Sequence, residues 1–222
     1  ALVHNAAYDY YTRVVPRYQL RSPRYCTICA KYNRDVSSQH RPAVFVFASD
    51  IRITRIRNGR YRGSDGIYAT TIHELTHAGH RELDPGIFSI VARSCKRNML
   101  MESWAEGVET IVTNDRYLAI NSSYRSTEPR DRALNLARWG AWRQELTAAE
   151  MNEYTPIVED LIDDINQNEI PNYAGVQPID DVSDYTLQQI QSALKGSRSA
   201  NTWRNRLNAN RPSGVTSAEL NT

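Results

Sequence analysis

The sequence predicts an α+β fold with its sheet confined to one end. Two observations carry this. Strand-forming runs occur only within the first 65 residues, and the rest of the chain shows helical spacing of apolar residues broken by loops. The chain has 222 residues, 41% of them apolar and 23% charged, which suits one medium core without disulfides or oligomerisation. We therefore expect a single domain over 1–222. Residues 1–80 should supply a small twisted sheet and a central helix, and 81–222 a mainly helical second part with no linker long enough to separate them.

Taken in order, Leu2, Ala6, Tyr10 and Val14 recur at helical spacing and predict an opening helix over 2–15. Pro16, Pro23 and the cysteine pair then mark a loop. Ala43 to Ala48 is a compact run of β-formers and the strongest strand signal in the chain. Asn58-Gly59, within 51–61, is a type I′ hairpin signal. The first 65 residues thus read as a helix followed by an antiparallel or mixed sheet. Ser64 or Asp65 can cap a helix running through Ile67, Ile72 and Leu75 to about Ala78, with Gly79 near its end. Asp84-Pro85-Gly86 predicts a turn. A helix over 98–118 follows, with Leu100, Trp104, Val108 and Val112 along one stripe, and another over 131–145 with Leu134, Ala137 and Ala141 on a face. Thr147 to Glu150 is a capping box, and Thr155-Pro156 restarts that helix. The last helix is expected over 183–194, ending near Gly196, with residues beyond Pro212 frayed.

Charge is uneven. Residues 1–62 carry 12 basic against 3 acidic residues, and the remainder 15 against 22, which together give the net charge of +2. The simplest expectation is that N-terminal arginines pair with acidic C-terminal helices. The rival is a polyanion-binding surface, disfavoured because no nucleic-acid-binding motif accompanies the arginines. Cys26-Thr27-Ile28-Cys29 has half the spacing of a zinc ribbon but no second pair, so a structural or disulfide role is expected for it. No run of 18 apolar residues exists, so no transmembrane segment is expected. No signal peptide is visible, and the opening at Ala1 suggests a processed or trimmed form.

The residues that point to chemistry are His73-Glu74-Leu75-Thr76-His77, an H-E-x-x-H pattern. On a helix, positions i and i+4 stand one above the other, so both imidazoles face one metal ion while Glu74 reaches a water on that ion. At this chain's own His and Glu frequencies such a match arises by chance in roughly half a per cent of sequences. Thr71 and Glu74 also fit a capping box that would start the helix later, but apolar spacing already begins at Ile67. His80 lies about 10 Å along the axis from His73, too far to share the ion, and is expected at the rim. His4 and His40 have no partner pattern. The third ligand should be a carboxylate of the next helix, where Glu102, Glu106 and Glu109 share a face at i, i+4 and i+7. Spacing alone leaves these three open.

Here the sequence resembles the gluzincin branch of the zincin metallopeptidases. In the M1-type aminopeptidases of that branch, H-E-x-x-H is followed on a later helix by E-G-[FL]-A. Glu102-Ser103-Trp104-Ala105 is similar, with Ser103 in place of the usual Gly. The resemblance implies Glu102 as the third zinc ligand. It also implies Glu106, four residues on, as the carboxylate that orients a ligating histidine. The alternative frame, Glu106-Gly107-Val108-Glu109, keeps the Gly but puts a charged residue where the family has Ala. The family's G-x-M-E-N exopeptidase motif is not present. The similarity spans about 65–118.

The resemblance further implies a zincin-like fold, a Zn2+ cofactor, and peptide-bond hydrolysis in which Glu74 is the general base. A peptide or protein substrate would lie along an edge strand near 60–66. A tyrosine near the reacting carbonyl would come from Tyr117, Tyr154, Tyr173 or Tyr185. A secreted or cell-envelope location is the accompanying expectation. The rivals are a zinc-containing binding or adhesion module without turnover, and an amidase acting on a non-protein substrate.

Overall fold

The computed structural model describes residues 1–24, 26–35, 39–40, 51–57, 59–89, 95–124, 155, 157–164 and 181–221. The elements are α1 (Leu2–Asp9), a π-helical turn (Tyr10–Val14), α2 (Val15–Tyr18), β1 (Ile28–Asp35), β2 (Gln39–His40), β3 (Ile51–Arg57), β4 (Arg60–Tyr61), α3 (Ser64–Leu83), a 3-10 turn (Pro85–Phe88), α4 (Cys95–Ile120), α5 (Ile157–Asp160), α6 (Leu187–Leu194), α7 (Ala200–Ala209) and a closing 3-10 turn (Glu219–Asn221). The fold is α+β and mostly helical.

The opening helix continues through Pro16 to Tyr18 instead of stopping at Val15. A proline normally collides with the carbonyl four residues back. Here the wider π turn before it bonds Val15 N–H to Tyr10 O and relieves the clash. Gln19, in the left-handed region at φ 53°, ends the helix.

The four strands form a mixed sheet in the order β1-β3-β2, with β4 on β3. β1 runs parallel to β3, from Ile28 opposite Ile51 to Lys31 opposite Thr54, whereas β2 and β4 are antiparallel to β3. The expected loop at the cysteine pair is therefore partly strand, because a parallel partner recruits a segment whose own pattern is weak. Cys26 and Cys29 form no disulfide, which leaves the structural half of the expected structural or disulfide role. The hairpin closes as expected: Arg57 pairs with Arg60 around a two-residue turn, and Gly59 has φ 72°. The expected strand over 43–48, the helix over 131–145 and the capping box at Thr147 lie outside the described residues.

α3 is the central helix. Every residue from Asp65 to His80 is buried, enclosed by the sheet, α1 and α4. It runs to Leu83, past the predicted end at Ala78. Gly79 is interior: a Cβ there would collide with the carbonyl oxygen of Arg21, so the glycine marks a close backbone approach and not a helix end. The helix starts at Ser64 after Gly63, with no side-chain cap. Thr71 returns its hydroxyl to Ile67 O, which leaves the competing capping box unmade.

α4 packs antiparallel on α3, as contacts in reverse order show: Tyr68 with Tyr117, His73 with Glu109, His77 with Glu102. Its stripe of Leu100, Trp104, Val108 and Val112 is buried as predicted. α6 starts at Leu187, four residues later than expected, because Thr186 and Gln189 make a reciprocal capping box and Asp184 is left-handed at φ 67°. A further helix, α7, was not foreseen. Its capping box pairs Ser199 with Thr202, not with the usual Glu or Gln, so the standard signature is missing. Trp203 and Leu207 of α7 are buried, and so is Val215, in the tail expected to fray. No helix among the described residues is long and apolar enough to cross a membrane.

Candidate metal centre

His73 and His77 sit one turn apart on α3 and project together toward α4, where Glu102 meets both. His73 Nε2 stands 3.0 Å from His77 Nε2, and Glu102 Oε2 lies 3.3 Å from each nitrogen. Four donors held tetrahedrally at about 2.0–2.1 Å from one zinc ion stand roughly 3.3–3.4 Å from one another. The three atoms thus have nearly the spacing of one face of such a tetrahedron.

The electrostatics suit a cation. Burial works against a charged His73, yet the Glu102 and Glu109 carboxylates outweigh it and hold the imidazole well above the ordinary histidine range. Burial would raise Glu102, but His77 and His73 pull its carboxyl well below the usual carboxylate range. The carboxylates draw a proton into the place where a cation would supply the same charge. Glu74, 5% exposed, is pushed upward by burial against the opposing pull of His73 and His77. A carboxyl whose affinity for protons is raised beside two imidazoles is suited to accept one.

The position expected for Glu106, beside a histidine ring, is shared with Glu109. His73 Nδ1 lies 3.4 Å from Glu106 Oε2 and 2.9 Å from Glu109 Oε2. Glu109, one of the three carboxylates that spacing left open, is the nearer of the two. Its i+7 spacing from Glu102 put it on the right face, but only the approach of α3 decides which carboxylate the ring meets.

Two further contacts account for departures from the resembled pattern. Ser103, where the family has Gly, is fully buried, and its hydroxyl oxygen accepts from Thr155 N at 2.9 Å. Gly107, the support for the alternative frame, packs where a Cβ would collide with the Val158 side chain of α5. That glycine is explained by helix packing without reference to a ligand at Glu106.

His80 is not at a rim. It is 0% exposed, packs edge-on against Phe88 at 5.4 Å, and has a hydrogen-bond partner at neither ring nitrogen. Burial and the neighbouring His77 lower it to about 3. Phe88 also packs on His77 and was not singled out from sequence. Of the candidate tyrosines, Tyr185 donates to Leu207 O and is committed to the α6–α7 pair. Tyr117 lies against Tyr68 and Ser64, and Ser64 is nine residues, or about 13 Å along α3, from His73. Neither reaches the histidine pair, and Tyr154 and Tyr173 lie outside the described residues. Two N-terminal arginines do meet acids further along the chain, Arg17 with Asp115 and Arg24 with Glu82. Both arginines are exposed, so these pairs add little stability.

No family model matches the chain, and neither a curated protein nor a solved structure gives a match.

Proposed function

We propose that this chain is a zinc-dependent metallopeptidase of zincin-like, gluzincin type. His73, His77 and Glu102 would hold Zn2+, and Glu74 would act as general base. The observation that carries this reading is the triangle of His73 Nε2, His77 Nε2 and Glu102 Oε2, with edges of 3.0, 3.3 and 3.3 Å. Its size matches tetrahedral zinc, and it stands beside a buried carboxylate that a purely structural site does not need.

Zinc, when bound, supplies Lewis acidity that brings the pKa of water toward about 7 and polarises a carbonyl. Glu74 is placed by the same helical turn as both imidazoles. It takes the proton that water gives up as the peptide carbonyl is attacked, and returns it to the leaving amine. Its burial keeps that proton from exchanging freely with solvent. Glu106 and Glu109 stand 3.4 and 2.9 Å from His73 Nδ1 on the far side of the ring, where carboxylates would orient the imidazole. On the substrate side, β4 is exposed and, among the described residues, pairs with β3 alone. Arg62 N donates to Arg55 O at 2.9 Å and continues that pairing. The outer edge of 60–62 can therefore add a substrate strand, with main-chain bonds giving affinity. Residues 64–66 belong to α3, so this edge is shorter than the expected 60–66.

The test is cleavage of a mixed peptide library by the zinc-loaded protein, read by mass spectrometry beside Glu74→Gln. Turnover should fall about 100-fold or more in the variant, the range for a lost general base, while zinc stays bound. A zinc-loaded wild-type protein that cuts nothing would remove the peptidase reading. The binding-module or amidase alternatives would then take its place.

A further inference from the structure

We propose that the substrate is an acidic peptide, selected by Arg60 and Arg62 at the outer edge of β4. The inference rests on the peptidase reading and deepens it by naming the side chains that the edge prefers.

Five of the 12 basic residues in 1–62 fall between Ile51 and Gly63, all of them arginine, and no acidic residue accompanies them. Elsewhere in the N-terminal part arginines meet carboxylates: Arg13 pairs with Asp9, Arg17 with Asp115 and Arg24 with Glu82. Arg60 is exposed and, among the described residues, no carboxylate pairs with it. Arg55 lies 4.6 Å over the exposed Tyr61 ring, which keeps another guanidinium beside the same edge. Arg62 is half-buried, and a terminal nitrogen of its guanidinium donates to the Thr70 hydroxyl of α3. Thr70 precedes His73 by three residues and Glu74 by four, one turn of the helix. Arg62 thus fixes a positive charge within a turn of the candidate metal centre.

The register of the hairpin fixes what a docked strand would meet. Arg62 N–H is directed inward to Arg55 O, so by the alternation of an antiparallel ladder the N–H and C=O of Tyr61 face outward. These groups can pair with a peptide main chain, which a phosphodiester backbone cannot imitate, and this favours a peptide over a nucleic acid. Alternate residues of a strand share a face, so Arg60 and Arg62 flank one side of the edge. The contact with Thr70 shows that this side is turned toward α3. A strand added here brings every second side chain to about 5 Å from these arginines between Cβ atoms, where opposite charges attract and like charges repel. Glutamate or aspartate at those positions is therefore favoured, and lysine or arginine is rejected.

The test has a cleavage arm and a binding arm, both on the full zinc-loaded chain. In a mixed peptide library, Glu and Asp should be favoured over Gln and Asn at alternate positions of the cleaved sequences by about 10-fold, the effect of two partly exposed ion pairs. That ratio should approach one as salt nears about 1 M. Arg60→Glu should invert it in favour of lysine, which a folding defect cannot do, because such a defect lowers all rates together. Arg62→Gln should reduce it, and Arg62→Lys should restore part of it. In the binding arm, fluorescence anisotropy compares an alternating Glu-Val peptide with its Gln-Val counterpart on Glu74→Gln. Cleavage without acidic preference, or a preference that survives Arg60→Glu, overturns the proposal and leaves the peptidase reading standing. Displacement of the Glu-Val peptide by a thymidine oligonucleotide of equal charge at equal concentration also overturns it, because the hairpin would then be a general polyanion surface. Preferential binding of Glu-Val by a protein whose wild type cuts nothing sinks the peptidase reading alone. Equal binding of the two peptides with no cleavage removes both.

Discussion

The seam between α3 and α4 and the pair formed by α6 and α7 are both buried, but they are built on opposite principles. In the α6–α7 pair the interior is apolar, with Leu187, Ile190, Leu194, Trp203 and Leu207 nearly inaccessible. Trp203 Nε1 donates to Ile190 O, Tyr185 to Leu207 O, and both helices open on reciprocal capping boxes, while Arg204 Nε is buried without a hydrogen bond. The α3–α4 seam buries two imidazoles and a glutamate against three carboxylates. It leaves Nδ1 of His77, both nitrogens of His80 and Trp104 Nε1 without hydrogen bonds. A buried unsatisfied group costs about 1–3 kcal/mol. A seam that carries several of them and still folds is supported by its surroundings, and the α6–α7 pair is one such support. Asp84, at the end of α3, accepts from both terminal nitrogens of Arg198, at 2.6 and 2.9 Å, and from Gly196 N at 2.7 Å, tying the two regions together.

The comparison can be broken first on the stabilising side. Trp203→Ala should lower unfolding stability by about 3–5 kcal/mol, the range for a large buried aromatic. Zinc affinity of the remaining folded protein should be unchanged, as a denaturant titration beside a chelator competition would show. On the seam the effects should invert. His77→Ala should weaken zinc by more than about 100-fold, beyond what removing an outer carboxylate does, with little change in metal-free stability.

Arg198→Ala cuts the tie and should lower stability by roughly 1.5–3 kcal/mol, the range for hydrogen bonds to a charged group. Burial would raise Asp84, but Arg198 and Gly196 N–H hold it below the usual carboxylate range. A depressed carboxyl contributes stability that is present above the unfolded value and lost as pH falls through the folded one. The Arg198→Ala deficit should therefore shrink on acidification below about pH 4.

The smallest effect sharpens the contrast within α3 itself. His80 holds a folded value of about 3 against 6.5 in the free side chain. As pH falls through 6.5 the unfolded chain takes up a proton that the folded chain refuses, so stability declines toward pH 3. His80→Leu should stabilise by about 1 kcal/mol at neutral pH, through removal of an unsatisfied buried group. Its advantage over wild type should widen between pH 6.5 and 4, measured as melting temperature of the metal-free protein against pH.

Much of this was legible in the sequence because it depends on local spacing. The i, i+4 placement of His73 and His77 puts both rings on one face of any helix that contains them. The stripe from Leu100 to Val112 and the Asn58-Gly59 hairpin are likewise local, and both formed as read. The Gly79 expectation failed for an instructive reason: glycine near the end of an apolar pattern usually marks a helix end, but here it admits the Arg21 carbonyl, a contact separated by 58 positions. β1 was missed because its strand character comes from β3, and α7 because Thr202 replaces the residue that normally announces a capping box.

By itself, then, the sequence determined the class of fold, the pair of imidazoles with Glu74 between them, and a row of three glutamates on the following helix. Which glutamate meets which nitrogen was decided only by the antiparallel approach of α4, because that choice depends on the axial offset of two helices, and no residue pattern within one helix encodes an offset. The same packing buried His80 fully against Phe88. His73 and His80 are the same side chain on the same helix. Tertiary structure gave one of them carboxylates on both sides and the other no hydrogen-bond partner.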